Sequence, residues 1–192
     1  KCNMELAYSL TTLYFLLSGV LVMWMAAGFT MLEAGSVRSK NVIEILLKNI
    51  ALYSIASIGF LVVGYELMYG WGQIDTHAMY SDFFFQVVFV ATAMSVVSGA
   101  VAERKKLWTF LLFAAVFSCV LYPIHGSWSW GGGWLSEAGF SDFAGSGIVH
   151  MAGTAAALAG VLILGPRAGN CTTAGSPKPI NGSNAPQVAL GT

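Results

Sequence analysis

The chain has 192 residues, of which 56% are hydrophobic and only 9% are charged, and its nine basic and nine acidic side chains cancel. Soluble domains carry about 25% charged residues, so this chain lacks the means to build an ordinary solvated surface. The balanced charge argues against a basic nucleic-acid binder, the apolar content against a disordered chain, and the three cysteines against a disulfide framework. The remaining class is a protein that crosses the membrane several times.

Uncharged gaps between charged residues predict the membrane spans, because a bilayer core accommodates about 20 apolar residues as helix. Helices are expected rather than strands, since an open sheet edge cannot face lipid. The first gap is too long for a signal peptide, and no small-residue cleavage site follows it. The predicted helices, taken in chain order, are 8–31, 42–65, 83–102, 107–125 and 144–165.

The charges in the loops alternate in sign along the chain. Asp75, Asp82, Glu137 and Asp142 follow the second and fourth spans, where no Lys or Arg occurs. The positive-inside rule therefore places the N-terminus outside and the residues after the fifth span in the cytoplasm, with the plasma membrane as the expected location. The basic residues, which follow the first, third and fifth spans, are Arg38, Lys40, Arg104, Lys105, Lys106 and Arg167.

Residues 168–192 change character and are rich in Gly, Ser, Pro and Asn, which predicts a cytoplasmic link. Glycosylation sequons begin at Asn170 and Asn181, and this topology predicts that neither is glycosylated. Residues 187–192 are apolar again and predict the start of a sixth helix that has been cut off.

His150 is a titratable residue within the fifth predicted span, where such side chains are costly and usually functional. A neutral imidazole offers one donor and one acceptor, which suits a small polar solute that loses its water in a narrow pore. The alternative is a histidine satisfied by a neighbouring helix. A metal site is not predicted, because His77 and His125 lie in or near outer loops without ligand spacing.

Four further residues at the predicted outer side have both a structural and a functional interpretation. Asp142 precedes the fifth span like an N-cap, and its carboxylate is also suited to organising a cation site. Phe85 and Phe89 share one helix face, where packing is the simpler explanation. Trp130 lies beside three glycines that permit a sharp turn, and an indole at a pore mouth can bind a cation through its face.

Several stretches together resemble the Amt/Mep/Rh family of ammonium transporters. HGSWSWGGGWL (125–135) is followed by DFAGSGIVHMAGTAAALAG (142–160) and a closing GPR. EAGSVRSKN (33–41), FQVVF (85–89) and GAVAER (99–104) agree in order and spacing. The resemblance implies the first half of an eleven-helix, all-α polytopic fold, whose two five-helix halves are inverted and enclose a pore.

The resemblance also implies roles for individual residues. Trp130 corresponds to the aromatic residue that recruits ammonium outside, and Asp142 to a nearby acid with an indirect electrostatic and structural role. Phe89 corresponds to one ring of a stacked pore gate, and His150 to the first of two pore histidines. The partners of Phe89 and His150 belong to the second half of the fold. Phe85 and Gln86 match the family pattern, without an implied contact to the substrate.

The implied function is transport: ammonium binds outside, loses its proton, and crosses a hydrophobic pore as ammonia. A full-length homotrimer is expected, a PII-type regulator is a family possibility, and no cofactor or enzymatic activity is expected, because no nucleophile–base pair is present. Two alternatives stay open, an ammonium sensor coupled to a downstream signalling domain and a truncated, non-conducting fragment. Trp71 stands where some bacterial members have an acidic residue, which concerns the outer mouth and does not indicate loss of function.

Overall fold

A computed structural model describes residues 2–72, 74–170, 176 and 178–192, within which all regular structure is helical. Five helices are long and apolar enough to span a membrane, which confirms the predicted fold class. Two short helices lie outside the spans, α5 (Trp134–Glu137) and α7 (Ala185–Gly191). The five long helices are α1 (Cys2–Ser36), α2 (Ser39–Met68), α3 (Met79–Ala100), α4 (Leu107–Ser127) and α6 (Ser146–Leu164).

The helix bounds differ from those expected from charge gaps. The first helix is longer at both ends, and α3 begins at Met79 rather than at residue 83. The physical reason is that a helix continues past a charged residue whose side chain has a partner. Asp82 lies inside α3, where its carboxylate accepts a 2.6 Å hydrogen bond from the hydroxyl of Tyr65.

Helix α3 lies at the centre of the bundle and packs against α1, α2 and α6. Val88, Ala91 and Met94 are at most 1% exposed. Small residues on this helix allow close approach, which is how membrane helices gain packing contacts in lipid. The centre of the bundle is therefore the helix that carries Phe85 and Phe89.

Helices α2 and α4 cross at a close contact made possible by glycine. A Cβ at Gly59 would lie 2.6 Å from the Cys119 sulfur, and one at Gly64 would lie 2.8 Å from the carbonyl oxygen of Ser118. Each helix has a π-helical turn here, Phe60–Gly64 and Phe117–Leu121. Such turns insert one residue into the helical repeat and re-aim the following side chains.

The predicted inner loops meet at one end of the bundle. Glu103 binds Arg38 at 3.0 Å, lies 3.6 Å from Arg167, and accepts a hydrogen bond from Asn41. Burial alone would raise the pKa of Glu103, but the bonds from Arg38 and Asn41 outweigh it and lower the pKa. Burial lowers the pKa of nearby Lys105 to about 6, with the charge of Lys48 adding to the effect.

The C-terminal segment returns to α1. The side chain of Asn184 caps α7 by accepting from the backbone N–H of Gln187 at 3.1 Å, and Ser183 donates to the carbonyl oxygen of Ala34 at 2.6 Å. A Cβ on Gly28 would lie 3.1 Å from the carbonyl oxygen of Gly191. A helix therefore begins where the sequence predicts the start of a sixth one.

Long apolar faces on several helices are left uncovered by the described residues, and those of α1 and α6 are two of them. On α1, Leu6, Leu17 and Leu21 are 58 to 64% exposed. On α6, Leu158 is 60% and Leu162 is 75% exposed, on the same side as exposed His150. A multi-pass membrane protein can cover such faces with lipid or with further protein.

Candidate functional site: the wall of a pore

The start of α6 is organised by Asp142. One carboxylate oxygen accepts from the backbone N–H of Ser146 at 3.0 Å, and the other from Gly147 at 2.8 Å and Ile148 at 2.9 Å. These are N–H groups that a helix N-terminus leaves without partners, so the predicted capping role is confirmed. Burial would raise the pKa of Asp142, but the backbone bonds from Ile148, Gly147 and Ser146 outweigh it and lower the pKa.

Trp130 is fixed against this capped turn. Its indole N–H donates to the backbone carbonyl oxygen of Asp142 at 2.6 Å. A Cβ on Gly145 would lie 3.1 Å from the six-membered part of the indole ring, and Gly145 also has a φ of 77°, a conformation that favours glycine. The glycine therefore lets the ring pack beside the start of α6.

Trp130 and Phe89, the expected recruitment residue and the expected gate residue, lie in contact. The ring of Phe89 contacts that of Trp130 edge to face, with 5.7 Å between ring centroids. Phe85 packs against Phe89 at 5.0 Å in the same geometry. Trp130, Phe89 and the capped turn of Asp142 thus form one half-buried aromatic wall, which we call the outer wall. An aromatic wall beside a carboxylate favours a small cation.

His150 lies one turn further along α6, within the π-helical turn Ser146–Met151. Its backbone N–H bonds to the carbonyl oxygen of Gly145 at 3.1 Å, while its side chain is exposed. Gly153 marks the side of α6 that packs against α3, because a Cβ there would lie 2.7 Å from the carbonyl oxygen of Ala93 on α3. The imidazole therefore stands on the uncovered face of α6, apart from the outer wall.

Sequence reasoning missed the aromatic stack that extends the outer wall. Phe15 on α1 packs against Phe85 at 5.2 Å and stacks on His77 at 4.1 Å. Trp71, at the position that departs from the family pattern, packs 4.5 Å from Tyr65. No spacing signal in the sequence links these residues, since they come from separate helices and a loop.

Sequence reasoning also missed a buried polar cluster near the predicted inner side. Glu33 ends the first uncharged gap of the sequence and Lys48 precedes the second, yet their side chains form a 2.8 Å ion pair and are 3 to 4% exposed. Ser98 donates to the same Glu33 oxygen at 3.0 Å. Among the residues with described positions, no three Asp, Glu, His or Cys side chains lie close enough together to bind a metal ion.

The five candidate spans among the described residues define a multi-pass helical membrane protein, and its outer wall combines aromatic rings with a carboxylate. The chain matches the model of the Ammonium Transporter Family over residues 13–192. It is 43% identical to the ammonium transporter Amt2 of Archaeoglobus fulgidus, over 92% of this chain and 43% of that protein. A putative ammonium transporter of Synechocystis is 41% identical, over 86% of this chain and 42% of that protein.

Solved structures agree with this similarity. A protein described as a sensor Amt protein has a TM-score of 0.89 and 34% identity, over 97% of this chain and 52% of its own. Candida albicans Mep2 has a TM-score of 0.80 and 25% identity, over 94% of this chain and 44% of the Mep2 chain. The chain belongs to the ammonium transporter family and spans less than half the length of the curated relatives described above. This is a family of transporters rather than a class of enzyme.

Proposed function

We propose that this chain forms the first half of a pore that carries ammonium nitrogen across the plasma membrane. The outer wall of Trp130, Phe89 and the Asp142 turn is the observation that carries the proposal. It supports recruitment of ammonium by the face of an indole ring beside a carboxylate that already serves a helix N-terminus. Asp142 therefore acts through the backbone it holds and through its charge, without touching the ion.

The route past Phe89 favours a neutral species. The gate is made of aromatic rings, and an unpaired cation in such surroundings loses several kcal/mol of solvation. Ammonium that leaves a proton at the outer side passes as ammonia, and potassium, which has no proton to give, is rejected. His150 offers the next hydrogen-bonding group along α6. The second pore histidine and the facing ring are expected from the half that completes the fold.

The experiment is methylammonium uptake by the complete gene product in proteoliposomes, with His150→Ala as the test variant. We expect at least a tenfold change in uptake rate or a loss of potassium exclusion, because the titratable imidazole on the uncovered face of α6 is removed. Ile163→Ala, also on α6 and 84% exposed, is the matched control and keeps both properties. Unchanged uptake together with unchanged potassium exclusion in His150→Ala contradicts the role of His150.

A sensor is the second candidate, and the similarity to a structure described as a sensor Amt protein favours it. The same recruitment site then serves signalling through a cytoplasmic domain encoded after Thr192. Reading the downstream sequence discriminates: a kinase or cyclase module supports sensing, and a second five-helix half without one supports transport. A homotrimer, a PII-type regulator and an external N-terminus are further parts of this proposal, supported by family membership and loop charge.

A further inference from the structure

Glu33 is a carboxylate on α1 that is only 4% exposed. One of its oxygens, Oε2, accepts from the Lys48 ammonium at 2.8 Å and from the Ser98 hydroxyl at 3.0 Å. Asn49 lies 3.5 Å from the same oxygen. A buried ion pair of this kind is held by hydrogen bonds that compensate for lost solvation. All these donors serve a single oxygen of the carboxylate.

The other oxygen, Oε1, is buried and has no hydrogen-bond partner among the described residues. It lies beside Gly99 of α3, where a Cβ would be 3.5 Å away. Both residues line a cavity of about 340 Å³ between α1 and α3. Buried carboxylate oxygens are normally hydrogen-bonded, so the free position of Oε1 requires an explanation. A structural ion pair with Lys48 explains Oε2 and leaves Oε1 unexplained.

The cavity includes one residue, Val96, from the face of α3 that carries Phe89. Phe89 and Val96 are seven residues apart, hence on one helix face, and Val96 lines the cavity. A Cβ on Gly153, one turn beyond His150, would lie 3.1 Å from Val96. The sequence of groups along the bundle is therefore the outer wall, His150, Val96 and then Glu33. Arg167, which lies 3.6 Å from Glu103, also lines the cavity.

We propose that Oε1 of Glu33 is a binding subsite for a small N–H donor, ammonium or methylammonium, at the inner end of the pore. This inference rests on the proposed function of the chain. An acceptor next to a cavity suits an N–H donor, and the Lys48 ammonium offsets the charge of Glu33. Ammonia that has crossed takes up a proton from cytoplasmic water at this end, and the subsite is weak enough to release the resulting ammonium to the cytoplasm. It is separate from the recruitment site at Trp130, which lies at the other end of the bundle.

The test measures methylammonium efflux from loaded proteoliposomes containing the complete gene product. The main variant is Glu33→Gln combined with Lys48→Met, which removes both charges together and leaves neither buried alone. Glu33→Asp is the second variant, because it keeps a negative charge near Lys48 but withdraws the carboxylate from the cavity by one methylene. Glu44→Gln, an exposed residue on the Lys48 helix, is the matched control.

We expect the half-saturating internal methylammonium concentration to rise about tenfold in the double variant, which is the loss of one hydrogen bond to a charged group. Glu33→Asp raises it in the same direction, and Glu44→Gln leaves it unchanged. Damage to folding lowers the maximal rate through fewer active molecules and does not move the half-saturating concentration. If the double variant does not fold, Glu33→Asp decides the question.

An unchanged half-saturating concentration in a folded Glu33 variant overturns the subsite and assigns Glu33 a structural role only. That outcome leaves the proposed function standing, because the unsubstituted protein still transports. Absence of methylammonium flux in the unsubstituted protein contradicts the proposed function itself. The two failures are therefore separated by the same set of measurements.

Discussion

The side chain of Asp142 accepts hydrogen bonds from three backbone N–H groups. The backbone carbonyl oxygen of the same residue accepts a hydrogen bond from the Trp130 indole N–H. The residue type and its place before a small-residue span are enough to predict the cap from sequence. The contact with Trp130 is not predictable in this way, because it depends on how the loop between α4 and α6 folds back. Asp142 thus links the stability of α6 with the position of the Trp130 ring.

Replacing Asp142 by Ala is expected to lower the free energy of unfolding by about 1–2 kcal/mol, the usual effect of removing an N-cap. Because the folded pKa lies below the ordinary value of 3.8, this contribution is present above that pH and is lost as the pH falls through the folded pKa. Thermal unfolding in detergent between pH 3 and pH 7 measures it.

Two controls separate the cap from the charge. Asp142→Asn keeps an acceptor oxygen and is expected to retain most of the stability. Asp75→Ala removes an exposed acid from the other predicted outer loop and is expected to have little effect. Equal stabilities of Asp142→Ala and the unsubstituted protein above pH 4 contradict the capping role.

At the level of helices, apolar gaps predict five spans, and the described part of the chain has five. Their bounds follow less well: α1 continues past its predicted end at residue 31 and includes Glu33, whose charge is neutralised inside the bundle by Lys48. The rule that a charge marks the edge of a span assumes that the charge seeks water. An ion pair between two helices removes that need, and only the packing of α1 against α2 reveals it.

The crossing of α2 and α4 provides a prediction about glycine. Gly64→Ala is expected to destabilise the fold by about 1–3 kcal/mol, because its Cβ would lie 2.8 Å from the backbone of Ser118 and the helices would have to separate. Intrinsic helix propensity alone favours the alanine by about 1 kcal/mol, so the sign of the change identifies the packing effect. Thermal unfolding of the purified protein measures it.

Gly72→Ala is the matched control for this prediction, since no atom lies within 4 Å of a Cβ at that position. We expect it to unfold at the same temperature as the unsubstituted protein. A Gly64→Ala variant that is as stable as the Gly72→Ala variant shows that the two helices do not depend on this close approach.

At the scale of the whole molecule, the bundle ends in a wall without an opposite side. His150 and the exposed leucines of α6 face away from the other described helices. Phe89 has the rings of Trp130 and Phe85 as neighbours, so the proposed gate has one side in this chain. A pore needs a second wall to exclude water and lipid from this face.

We therefore predict that residues 1–192 alone do not conduct. In proteoliposomes, this fragment is expected to give the same methylammonium flux as empty vesicles, whereas the complete gene product gives a saturable flux. Insertion of the fragment is checked first by its resistance to alkaline extraction. Selective methylammonium flux through the inserted fragment contradicts the need for a second wall.

By itself, the sequence determined the class of protein, the number of spans and the identity of His150 and Asp142 as unusual residues. These conclusions depend on local chemistry, namely apolar length, charge at membrane depth and capping geometry. Only the tertiary structure brought Phe89 against Trp130 and Glu33 against Lys48. Such contacts join residues that are far apart in the chain, and they are decided by how helices with small residues at their crossings can approach one another.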